Sequence, residues 1–206
     1  LLIARKRYSG TVTLLSDRKQ DIPGVDCVDI SEWYDQRPFQ DFCEASPLDP
    51  HFRGGFWLRA TERFFIQNQY MRHAKLERSF QVEMDVLILD LDGYAEVLDG
   101  FGLGVFAPME APCQAVASLL YVNSLDALSR LCGFTVENAS IGNEQKILGH
   151  FIDAHPDMGF GLPSNHALDK SQWPMAPSSV PPETGIVDAT FLGMWVFGQD
   201  PRNSET

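Results

Sequence analysis

The sequence predicts an α/β fold from the order of its segments, and composition and length add that the chain is one globular domain with a core of its own. Apolar, β-branched runs that read as strands alternate with stretches of helical periodicity. The chain has 206 residues, 44% hydrophobic and 21% charged, which is the balance of a soluble globular domain. At that length a compact chain buries roughly 70% of the surface it exposes when unfolded, so the core needs neither disulfides nor a structural metal.

The elements follow in order. Leu1 to Tyr8 is helix-like but has no N-cap and no starting Met, which leads us to expect sequence upstream of it. Thr11 to Leu15 is β-branched and apolar and ends at Ser16-Asp17, the pattern of a buried strand with a polar C-terminal end. Val25 to Ile30 alternates as a second, shorter strand. From Gly54-Gly55 a helix is expected, because Trp57, Ala60, Phe64 and Met71 fall on one apolar face. Arg59 and Arg63 lie one turn apart on a stripe of their own. Ser79 to Leu89 reads as a strand carrying two carboxylates, Glu83 and Asp85, and Ala115 to Val122 as another strand. Ser124 N-caps a helix to Cys132, and Asn143 caps a further one to about Ala154, with Ile147, Leu148, Phe151 and Ile152 on its inner face. Residues 173–182 contain four prolines and form a loop, after which Asp188 to Val196 returns to helix. No repeat or second domain is apparent, so residues 1–206 are read as a single domain.

Charge narrows the partners. Sixteen Lys and Arg against 28 Asp and Glu give a net charge of −12, the wrong sign for broad nucleic-acid binding. Basic residues concentrate in residues 1–100, which hold 12 of them against 4 in the remainder. Arginines that meet a phosphorylated small molecule would therefore come mainly from the first half. Cys27, Cys43, Cys113 and Cys132 show no zinc-ligand spacing and read as small buried hydrophobes. No apolar run is long enough to span a bilayer, so a soluble chain is expected, cytoplasmic or luminal.

The chemistry centres on Glu83 and Asp85. Residues i and i+2 of a strand point to one side, so this pair can offer hard oxygen ligands to one divalent cation. Mg²⁺ or Mn²⁺ suits them, because such ions need only one or two protein carboxylates when phosphates complete the shell.

With these motifs in hand, the sequence resembles the nucleotide-diphospho-sugar transferase superfamily, the glycosyltransferases of GT-A fold. The residues carrying the resemblance are Thr61-Glu62-Arg63-Phe64-Phe65, Phe80-Gln81-Val82-Glu83-Met84-Asp85-Val86, Asn143-Glu144, and Val187-Asp188-Ala189 with Gly198-Gln199-Asp200-Pro201-Arg202-Asn203. The resemblance implies a Rossmann-like α/β/α sandwich with a mixed, mostly parallel sheet, here lacking its first strand. It implies an enzyme that moves a sugar from a nucleoside diphosphate sugar, a UDP-sugar by preference, to a hydroxyl acceptor, with Mn²⁺ or Mg²⁺ as cofactor. Asp85 would be the favoured metal ligand, with Glu83 beside it at the metal and contacting ribose or metal-bound water; a third ligand would come from the late histidines His150, His155 and His166, of which His166, in a loop, is the one to test. Arg63, assisted by Arg59, would meet the diphosphate, and Asp17 the base. Glu144 and Asp188 would be the catalytic carboxylates, Glu144 facing the acceptor, where it would accept the proton of the attacking hydroxyl, and Asp188 lining the donor site. The family carries a Gly-Gln pair in its late helix where this chain has Gly193-Met194, so that polar donor contact is absent. The departure and the missing strand also suggest a second reading, a non-catalytic nucleotide- or glycan-binding protein that has kept the fold.

Overall fold

The computed structural model describes residues 8–83, 91–92, 102–106 and 114–161. They form a mixed α/β structure with a small parallel sheet and a larger, mainly antiparallel one. The expected helices at Leu1 to Tyr8, save for Tyr8 itself, and at Asp188 to Val196 and the loop at 173–182 lie outside these residues, as does the strand beyond Glu83.

β1 (Thr13–Ser16) and β2 (Asp26–Asp29) pair in parallel, Thr13 opposite Asp26 and Ser16 opposite Asp29. A short 3-10 turn, Ile30–Glu32, follows, its start capped by the Asp29 carboxylate accepting from the Ser31 N–H. Helix α1 (Arg37–Ala45) comes next, with Pro38 in its first turn, where the missing N–H is no loss. It buries Phe39 and Phe42.

Helix α2 (Phe56–Ala74) organises the fold. It starts from Gly55, whose φ of 83° is open to glycine at little cost. It ends at Lys75, where the Leu76 N–H returns to the Met71 carbonyl at 2.9 Å and satisfies a terminal acceptor. Of the apolar face predicted for it, Phe64 and Met71 are fully buried and Trp57 and Ala60 half-buried. Phe65 joins Phe39 and Phe42 of α1 in a second cluster with Ala139 and Ile147. The C-terminal half of α2 also holds the small sheet. Tyr70 Oη lies 3.4 Å from Thr13 Oγ1, Trp33 stacks on His73, and the Gln69 amide bonds both the N–H and the carbonyl of Asp35 at 2.8 Å.

The larger sheet has the order β3-β5-β4-β6: β3 (Ser79–Val82), β4 (Leu103–Phe106), β5 (Val116–Val122) and β6 (Gly159–Gly161). β5 is antiparallel to both β3 and β4, and β6 is parallel to β4. Three strands therefore run one way and β5 the other, so the larger sheet departs from the mostly parallel one that the resemblance implies: the reversed strand lies between β3 and β4 and makes two of the three described pairings antiparallel. Every residue of β5 from Ala117 to Val122 is buried, as expected of a central strand covered on both faces. Leu120 and Val122 join the main core with residues of α2, of α3 (Leu125–Glu137) and of α4 (Glu144–Ala154), among them Phe64, Leu128, Leu131, Leu148 and Phe151. Tyr121 meets Phe80 across the β3–β5 pair, ring centroids 5.0 Å apart.

Both helix starts follow the capping expected from the sequence. Ser124 accepts from the Ala127 N–H at 3.1 Å and Asn143 from the Lys146 N–H at 3.2 Å. Helix α3 runs on past Cys132 to Glu137. Cys27, Cys43 and Cys132 are free and half-buried, less enclosed than the sequence suggested; Cys43 and Cys132 sit at the rims of the core clusters, and Cys113 lies outside the described residues. Among the described residues no helix is long and apolar enough to cross a membrane.

One close approach constrains the sheet edge. A Cβ on Gly102 would sit 2.3 Å from the Met158 carbonyl oxygen, just where the Leu103 N–H bonds that oxygen at 2.8 Å. Gly102→Ala must push backbone apart and is expected to cost about 1–3 kcal/mol in urea unfolding, with an unchanged m-value.

Candidate functional site

The chain leaves β3 at Val82, and Glu83 continues the ladder for one more bond, its N–H donating to the Ser118 carbonyl at 3.0 Å. Alternation along this strand puts Ser79, Gln81 and Glu83 on one side, facing α2. On α2 the matching residues are Arg63 and Gln67, one turn apart. Gln67 Nε2 donates to Ser79 Oγ at 3.0 Å, and Arg63 Nη1 donates to Glu83 Oε1. A polar seam thus runs between helix and strand inside an otherwise apolar packing.

Helix α4 closes the seam at its Arg63 end. Glu144 is its first residue, where a negative charge meets the positive end of the helix dipole. Its Oε1 lies 3.7 Å from Arg63 Nη2, so the guanidinium stands between two carboxylates. Exposure grades outward: the side chain of Glu144 is 4% exposed, that of Arg63 18% and that of Glu83 38%. Glu144 Oε2, Arg63 Nε, Gln67 Oε1 and Gln81 Oε1 are buried and have no hydrogen-bond partner among the described residues. Burial pushes the Glu144 carboxyl up to about 7; Arg63 opposes this and the charge of Glu83 adds to it. A carboxyl that exchanges its proton near neutrality is thereby set against a fixed cation.

The other expected site residues divide in two. Arg59 pairs with Glu62 at 2.6 Å, its own side chain 71% exposed, and does not join the Arg63 cluster. Asp17 follows β1 at the surface, 4.0 Å from Arg18, and does not join the cluster. Asp85, His166 and Asp188 lie outside the described residues. Sequence reasoning missed Gln67 and Gln81, although their spacings from Arg63 and Glu83, four along a helix and two along a strand, would have placed them on the same seam. It also missed Glu62, a buried acid whose charge, after burial itself, raises the Tyr34 hydroxyl pKa.

Among the described residues no group of three or more His, Cys, Asp or Glu side chains is placed to hold a metal ion. The partly exposed carboxylate of Glu83 is nevertheless the hard oxygen donor that Mg²⁺ or Mn²⁺ takes, and its donor chemistry fits such an ion. Compared with known proteins, the chain matches no protein-family model, no curated protein and no solved structure.

Proposed function

We propose that the chain is a metal-dependent glycosyltransferase of GT-A type, a nucleotide-diphospho-sugar transferase that moves a sugar from a UDP-sugar to a hydroxyl acceptor. The observation that carries this reading is the Arg63 guanidinium, held at the C-terminal end of β3 between Glu83 and Glu144. Open α/β sheets bind ligands outside the C-terminal ends of their strands, and a guanidinium fork there suits a diphosphate. The described elements accord with this reading at the level of a mixed α/β fold.

In this reading Arg63 receives the diphosphate oxygens and stabilises charge on the leaving group. Glu144, behind Arg63 and almost wholly buried, holds the guanidinium in place; that position favours a positioning role over deprotonation of an acceptor. Glu83 with Asp85, and His166 as a third ligand, would hold Mn²⁺ or Mg²⁺, which when bound neutralises the leaving diphosphate. Asp188 would line the donor site, Asp17 the base, and Arg59 would assist from the rim.

Thermal unfolding tests the reading. UDP with Mn²⁺ is expected to stabilise the native chain by about 2.7 kcal/mol at a hundredfold excess over the dissociation constant. Arg63→Ala and Asp85→Ala should each abolish the shift, compared with the same variant without ligand. No shift in the wild-type protein, or an undiminished one in both variants, overturns it.

A further inference from the structure

The chain of charges Glu83, Arg63, Glu144 has a property beyond binding. We propose that loading a phosphate-bearing ligand onto Arg63 is coupled to uptake of a proton by Glu144, so that the site takes its anion and a proton together. The inference rests on reading Arg63 as the phosphate-binding group. Arg63 is the cation beside a buried carboxylate whose Oε2 has no hydrogen-bond partner among the described residues. An incoming anion shares that guanidinium and sets further negative charge close to Glu144.

The surroundings make Glu144 the group that responds. Arg63 comes from α2 and Glu83 from the end of β3. On its own helix Lys146 and His150 are exposed. α3 keeps Asp126, Arg130 and Glu137 at the exposed surface. β5 carries Tyr121 as its titratable residue, packed against Phe80. The described strands β4 and β6 bring none. Glu144 already sits near its midpoint at neutrality, because burial opposes its charge and Arg63 supports it. One added negative charge on the order of 6 Å away, at an effective dielectric constant of about 20, raises a carboxyl by roughly two pH units. Near neutrality the half-ionised acid then becomes protonated.

Calorimetry of UDP-glucose binding, without divalent cation and in buffers of differing ionisation enthalpy, tests the coupling. The probe suits because its esterified phosphates do not titrate near neutral pH. Uptake of about half a proton at pH 7 is expected, with affinity falling towards tenfold per pH unit above it. The wild-type result stands without any variant, and Glu144→Gln assigns the proton: its binding should take up none and its affinity should be flat with pH. Binding without proton uptake, or uptake that persists in Glu144→Gln, overturns the proposal. Heat that appears only with Mg²⁺ also overturns it, while leaving the sugar-nucleotide reading intact. Absence of heat with and without Mg²⁺ overturns both.

Discussion

Glu144→Gln is expected to remove a pH dependence of stability that the wild-type protein shows. Burial raises the Glu144 carboxyl from 4.5 in the unfolded chain to about 7, against the pull of Arg63. Between those values the native state binds more protons than the unfolded state, so stability falls as pH rises. The contribution of this group is complete below 4.5 and lost once pH passes about 7, a loss on the order of 3 kcal/mol. Urea unfolding at pH 5 and pH 8 should show that difference in the wild type and little of it in the variant. Equal pH slopes in the two proteins would mean that the acid is not held as the structure has it.

The second large effect is expected at Phe64, next to Arg63 in the chain. Phe64 is fully buried in the main core, and its carbonyl accepts from the Cys132 thiol at 3.5 Å. Phe64→Ala leaves a cavity among residues of α2, α3, α4 and the sheet and should cost about 3–5 kcal/mol. A loss below about 1 kcal/mol would show that these helices repack freely around that site. Because Phe64 adjoins Arg63 in the chain, relaxation of α2 there would also loosen the guanidinium.

Much of this arrangement was legible in the sequence, for local reasons. α2, α3 and α4 declare themselves through spacing and caps, with Ser124 and Asn143 accepting the bonds their positions suggest. β5 was visible because a buried strand is apolar throughout. Arg63, Glu83 and Glu144 were each singled out, and the structure brings the three together. What stayed hidden depends on partners distant in sequence. β6 is Gly-Phe-Gly, which reads as a turn and becomes a strand only through pairing with β4. β4 is four residues long, flanked by Gly102, and has the same difficulty. α1 begins at Arg37-Pro38, and proline reads as a breaker unless it falls in a first turn. The ends of β1 and β2 moved by one or two residues, the usual uncertainty of a frayed strand.

The position of β5 between β3 and β4 bears on how the molecule comes into being. β3 and β4 both precede β5 in the chain, yet each takes its ladder from it, so among the described strands neither has a neighbour until Val116 to Val122 has been synthesised. Helix α4, which brings Glu144 to Arg63, is made later still. During vectorial synthesis the amino-terminal half therefore holds Arg63 and Glu83 before the partner that fixes them exists. The pairing of Arg63 with Glu144 is completed only when the carboxyl-terminal half has docked, which makes the site a late product of folding rather than a nucleus for it.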